Sequence, residues 1–183
     1  MREVKDPAER KIEIMDCAMK LFAEKGYENT TMTDIAKELN VAVGLCYHYF
    51  KSKQCLYDEA LKSYVDICSD DIIEVFDSKP ELKDCMKELR DASEVVQTKY
   101  KYKSFFDKNR QFHMMLEYEM AEKIAPHAAE YLKTLKEKGE INIDDPMATA
   151  KFILHGEMPL FNYDERLEEN IHYVQNMIWK LLK

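Results

Sequence analysis

Apolar residues recur along this chain in segment after segment at the three-to-four spacing of a helix face. Ile12, Met15, Ala18, Met19 and Phe22 form the first such stripe. Ahead of it, Asp6-Pro7-Ala8-Glu9 offers an N-cap, a proline in the first turn and a capping-box glutamate, and Lys25-Gly26 closes the same helix. A second, short helix is predicted to begin at Thr31, whose hydroxyl can cap it while Asp34 reaches back from three residues on. Ile35, Ala36 and Leu39 supply its apolar face. Asn40 suits the left-handed conformation of a tight turn, and Val41 is placed to be buried between two helices. A third helix follows from Ala42 or Val43 to Tyr49. Ser52 can cap a long fourth, in which Leu56, Ala60, Leu61, Tyr64, Cys68 and Ile72 keep one face apolar to about Phe76.

The later segments repeat the pattern. Ser78-Lys79-Pro80-Glu81 opens a helix carrying Leu82, Met86, Leu89, Val96 and Tyr100. A long one carries Phe112, Met115, Leu116, Met120, Ile124, Ala128, Tyr131 and Leu135 to Lys138-Gly139, with Pro126 expected to kink it. Asp145-Pro146 opens the next, through Phe152 and His155 to about Gly156, and Asn162 or Asp164 is expected to cap the last. In that last helix Leu167, Ile171, Val174, Ile178 and Leu181 alternate by four and three, a seam suited to a partner helix or to the core of its own domain, with Trp179 beside it.

Only four glycines and five prolines occur in 183 residues, which agrees with an all-α fold, and 46% hydrophobic residues suffice for a buried core. No run of eighteen apolar residues is present and MREVKDPAERK lacks the apolar stretch of a signal peptide, so no membrane partner and a cytoplasmic location are expected. Cys17, Cys46, Cys55, Cys68 and Cys85 form an odd set without a close CxxC pair. That argues against a disulfide framework and a zinc finger, and for reduced, partly buried thiols.

Net charge runs against nucleic acid: the chain carries −8. Residues 1–60 hold nine Lys or Arg and eleven Asp or Glu, a net of −2. Their distribution reverses the implication locally, because from Asn40 through Tyr57 there is no carboxylate while His48, Lys51 and Lys53 lie there. A cation-only face is what phosphate contact requires, and acid elsewhere repels DNA from the wrong side.

Two short helices joined by a tight turn are the arrangement of a DNA-reading helix-turn-helix, although any compact helical hairpin shows that spacing. The longer string is more specific. Leu21-Phe22, Lys25-Gly26-Tyr27, Thr30-Thr31, Asp34-Ile35-Ala36, Val41, Gly44, Tyr47-His48-Tyr49-Phe50, Lys51-Ser52-Lys53 and Leu56-Tyr57 resemble, in order and spacing, the N-terminal domain of the TetR family of transcriptional regulators. The resemblance covers roughly the first sixty residues. It implies an N-terminal three-helix DNA-binding domain, set at residues 1–53, joined to a C-terminal helical ligand-binding and dimerisation domain, set at 54–183. It also implies a homodimeric repressor released from a palindromic operator by a small molecule. Ala42 and Leu45 stand where members often carry a small polar residue and a threonine.

On this reading Val43, Gly44 and Leu45 face the major groove, where Gly44 allows close approach and apolar side chains can meet thymine methyls; Leu45 fits the core equally well. Tyr47 and His48 are polar tips for phosphates or bases, and Thr31, Thr33 and Lys53 are placed to hold phosphates. Cys46, Tyr49 and Phe50 are expected to pack inward. Candidate effector contacts are Phe105, Phe106, Phe112, Met115, Tyr118, His155 and Met158, which suit a hydrophobic or aromatic ligand but also suit plain core. Arg110, His113, Glu117 and Glu157 can orient a ligand or simply be solvated. The expected dimer interface is a four-helix contact through Phe152, Leu167, Ile171, Val174, Ile178 and Leu181.

Enzyme readings find no support: there is no GxSxG elbow, Walker A loop, dinucleotide fingerprint or HExxH pair, and the five histidines show no metal-ligand spacing. No cofactor is expected. A thiol sensor requires that Cys17, Cys55 or Cys68 be exposed and acidified. The competing reading keeps the fold and drops DNA, leaving a dimeric helical small-molecule-binding or interaction protein.

Overall fold

Asp6 accepts a hydrogen bond from the Ala8 amide and starts a helix that ends where Gly26 turns to a φ of 85°, a conformation costly for any residue with a Cβ. In the computed structural model, which describes residues 6–99, 110–162 and 167–183 and the side chains of 6–92, 114–156 and 173–183, every described regular element is helical. The helices are α1 (Pro7–Lys25), α2 (Met32–Glu38), α3 (Val43–Tyr49), α4 (Lys53–Ser78), α5 (Leu82–Lys99), α6 (Arg110–Glu137), α7 (Pro146–Asn162) and α8 (Leu167–Leu182). None is long and apolar enough to cross a membrane, among the described residues. Two compact units arise, Met1–Tyr64 with Lys101–Leu116, and Val65–Tyr100 with Glu117–Lys183.

The first unit is built on α1. Ile14, Ala18 and Phe22 are buried with Ile35 of α2, Cys46 of α3, Phe50, and Leu56 and Ala60 of α4. Burying each of the larger side chains contributes about 1.5–3 kcal/mol. The first stripe differs from expectation in one respect: Ile14 is fully buried and Ile12 is 54% exposed. Both positions fit a helical period, and packing selected the face centred on Ile14, Ala18 and Leu21. Thr30 is buried and its hydroxyl reaches the carbonyls of Leu21 (3.2 Å) and Gly26 (2.9 Å), which fixes the chain entering α2. Phe22, Tyr27 and Tyr57 form an aromatic group with centroids 5.0–5.5 Å apart, Tyr57 edge-on to the other two rings.

In the second unit, small residues Ala121, Ala125, Ala128 and Ala129 make α6 a close-packing helix, and Ile124, Tyr131 and Leu135 fill its core. Phe76 of α4 meets Tyr131 with centroids 5.8 Å apart, and the Tyr131 hydroxyl donates to the Pro80 carbonyl at 3.0 Å. Lys123 of α6 pairs with Asp66 and Asp70 of α4, and His127 with Asp77. Helix α7 packs on α8, and the Asn142 amide donates to the Leu182 carbonyl.

Three expectations change. Helix α7 does not stop at Gly156 but runs to Asn162, because Gly156, unlike Gly26 and Gly139, takes no positive φ. Asn162 therefore ends α7 instead of capping α8, and Asp164 lies outside the described residues. In α5 the buried stripe is Leu82, Cys85 and Ala92, with Met86 and Leu89 half-buried. Pro126 sits inside α6 without ending it.

Candidate nucleic-acid interface

Helices α2 and α3 and the start of α4 are held by three local devices. At α2 the Thr31 hydroxyl accepts from the Asp34 amide at 3.1 Å and donates to Asp34 Oδ2 at 2.6 Å, while the Thr31 amide donates to the same oxygen at 2.9 Å. Those bonds to Thr31, the hydroxyl first and then the backbone N–H, hold the Asp34 carboxyl below its ordinary pKa. The α2–α3 turn is made by Asn40 at a φ of 52°, with the Val41 amide closing onto the Ala36 carbonyl at 2.9 Å. Val41 is half-buried there, less covered than its position between two helices suggested. Ser52 Oγ caps α4 by accepting from the Cys55 amide at 3.0 Å.

This framework turns Cys46 and Phe50 fully inward and leaves Tyr49 half-buried. Val43, Gly44, Tyr47 and His48 are exposed on α3, and Leu45 is half-buried. His48 lies edge-on to Tyr49, with centroids 5.3 Å apart. Lys51 is exposed as well, between His48 and Lys53 in the cationic stretch expected from the sequence. Thr33 is exposed on α2, whereas both donors of Thr31 are committed to Asp34, so Thr31 positions the helix and offers no spare proton to a phosphate.

Lys53 is half-buried, with its ammonium 4.1 Å from the Tyr27 ring centroid and donating to the Tyr27 carbonyl at 2.8 Å. Gln54 accepts from the Tyr27 hydroxyl at 2.8 Å and donates to Asp58 at 2.7 Å. The organising part of Tyr27 was not read from the sequence. Its signals there are its position directly after the turn glycine Gly26 and its place in the string that resembles the TetR family.

The remaining candidates fall in other places. Met115 is half-buried and accepts a 3.7 Å hydrogen bond from the Tyr57 hydroxyl, whose pKa burial pushes up to about 12. Tyr118 is 55% exposed and lies 5.2 Å from the half-buried His155 ring. His155 Nε2 is 3.1 Å from Glu122, which also accepts from Lys151 at 2.7 Å. The hydrogen bonds from Lys151 and His155 lower the Glu122 pKa. Phe105 and Phe106 lie outside the described residues, as do the side chains of Phe112, Met158, Arg110, His113 and Glu157.

Of the expected interface residues, Phe152 is 69% exposed on α7, Leu181 is exposed, Ile178 is half-buried and Val174 is buried in its own domain. The Leu167 and Ile171 side chains are not among those described. Helix α8 thus has two apolar faces, Val174, Ile178 and Leu182 turned inward, and Tyr173, Met177 and Leu181 left in solvent. The predicted four-and-three seam combined residues from both. Of the thiols, Cys17, Cys46, Cys68 and Cys85 are buried and Cys55 is half-buried. Desolvation raises Cys17 and Cys85 to about 11, the opposite of a reactive thiol.

Residues 14–60 match the family described as bacterial regulatory proteins, tetR family. Over 56 residues the chain is 43% identical to the biofilm operon icaADBC HTH-type negative transcriptional regulator IcaR of Staphylococcus aureus, an alignment covering 31% of this chain and 30% of that protein. The chain thus matches under a third of the length of this curated relative. A TetR-family transcriptional regulator from Pectobacterium atrosepticum shares the fold with a TM-score of 0.65 at 16% identity, over 97% of this chain and 98% of that one. The ketosteroid transcriptional regulator KstR2 of Mycobacterium tuberculosis does so with a TM-score of 0.58 at 21% identity, over 99% and 97%. Residues 14–60 thus match the family model of bacterial regulatory proteins, tetR family, and the described residues share the all-helical fold of solved structures named as regulators of that family.

Proposed function

We propose that this chain is a homodimeric, ligand-responsive transcriptional repressor that reads a palindromic operator through α3. The observation that carries the reading is the exposed face Val43, Gly44, Tyr47 and His48, set in a stretch free of carboxylates and flanked by Thr33, Lys51 and Lys53. Such a face excludes the repulsion that the chain's net charge of −8 would otherwise impose on DNA. Repression is supported by the negative regulator to which the N-terminal domain is similar.

Dimerisation is assigned to the last two helices, where Phe152, Tyr173, Met177 and Leu181 leave large apolar side chains in solvent. Two copies would place their α3 helices about one DNA turn apart, roughly 34–36 Å or a multiple of it. An effector releases DNA only in so far as it prefers the spacing that DNA rejects. For that effector the second unit offers the aromatic pair Tyr118 and His155, steadied by Glu122 and Lys151. A small hydrophobic or aromatic molecule suits such a pair, and one solved relative of the same fold is named for ketosteroid regulation.

The test is selection from random duplex DNA with the full chain. Enrichment of an inverted repeat supports the reading. The net charge of −8 favours the competing one, a dimeric helical small-molecule-binding or interaction protein that has lost specific DNA binding, and failure to enrich any sequence would favour it over operator binding.

A further inference from the structure

Helix α3 reads VGLCYHY, and none of its seven residues is the arginine, lysine, asparagine or glutamine that grips a purine edge with two hydrogen bonds in the major groove. With Cys46 buried and Leu45 and Tyr49 half-buried, its exposed face is a branched aliphatic side chain, a bare backbone, a phenol ring and an imidazole.

Gly44 is not explained by the fold. Its backbone needs no positive φ, and a Cβ built there would meet nothing within 4 Å. Alanine would fit and would favour the helix. The helix also begins at Ala42 without a side-chain cap, so local stability is conceded twice within three residues. What an exposed helical glycine provides is a backbone that another surface can approach closely, and no atom of the described residues takes that place.

We infer that the chain reads its half-site through thymine C5-methyl groups packed on Val43 and on the bare backbone at Gly44. The inference rests on the operator-binding role proposed above. In the major groove thymine alone among the four bases presents an apolar group, and a compact β-branched side chain, stiff at χ1, offers an apolar surface to meet it. Val43 is 39% exposed, enough to make that contact and too little anchored to be a core residue. The half-site under the start of α3 is therefore made of A·T pairs with the methyl turned toward Val43, and Tyr47 and His48 add single hydrogen bonds to phosphate or base further along.

The probe is the duplex enriched from random sequence, remade with each thymine in turn replaced by deoxyuridine, which removes the methyl and nothing else. At one or two thymines per half-site the replacement is expected to weaken binding about threefold to tenfold. V43A is expected to lose that distinction while keeping its unfolding midpoint. G44A is expected to raise the midpoint yet bind the enriched duplex at least tenfold more weakly. Indifference of the native chain to deoxyuridine at every position, retention of the distinction by V43A, or native affinity in G44A would overturn the methyl readout and leave operator binding standing. Failure to enrich any duplex overturns operator binding itself, and the methyl readout with it.

Discussion

Lys53 and Tyr27 are locked together: the Lys53 ammonium donates to the Tyr27 carbonyl at 2.8 Å and lies 4.1 Å from the centroid of the Tyr27 ring. The pair ties the first turn of α4 to the loop after α1. An ammonium has three donors, so two remain to meet a phosphate from a position already fixed. K53A should weaken binding to every duplex by a similar factor and reduce the salt slope by about one phosphate. Filter binding at several salt concentrations measures both. An unchanged slope would remove Lys53 from the phosphate contacts.

Thr31 and Asp34 give an acid-sensitive cap. The folded pKa of Asp34 is depressed below its ordinary 3.8, so its contribution is complete above that value and is lost as pH falls through the lower folded value. D34N should unfold at a lower temperature than the native chain at pH 7, and the gap should close under acid. A gap that stayed constant with pH would show that the charge is not the stabilising feature. T31A should cost about 1 kcal/mol at pH 7.

The exposed and buried apolar side chains of α7 and α8 predict opposite behaviours. M177E and F152E replace exposed side chains, so each should leave folding intact and convert a dimer into the 21.7 kDa monomer on sedimentation. V174A opens a cavity in its own domain and should cost roughly 2 kcal/mol without direct effect on association. If M177E and F152E both sediment as the native chain does, the dimer uses another surface.

Thiol labelling separates Cys55 from the rest. In the native chain at pH 8, Cys55 should react first, and the buried Cys17, Cys46, Cys68 and Cys85 should react only on unfolding. Burial raises the pKa of Cys17, Cys46 and Cys85. Rapid labelling of Cys17 would reopen a redox role.

Helix boundaries were legible where a residue has one strong local reason to be present. Asp6, Thr31, Asn40, Ser52 and Asp145 each cap or turn the chain as their chemistry requires. Choices between equivalent positions were not legible. Ile12 and Ile14 both fit a helical period, and only packing decides which is covered. Gly156 permits a helix to stop without requiring it, and the chain continued. Within the candidate interface, Cys46 and Phe50 turn inward as the sequence led one to expect, while the commitment of both Thr31 donors to Asp34 depended on side-chain geometry that spacing does not encode.

The most direct test of the central claim is a titration of the enriched duplex with native protein and with H48A at two salt concentrations, against an unrelated competitor. Operator reading through α3 predicts saturable native binding that survives the competitor, weakens steeply with salt and falls at least tenfold in H48A. Weak binding, equal for both duplexes and for both proteins, would contradict it.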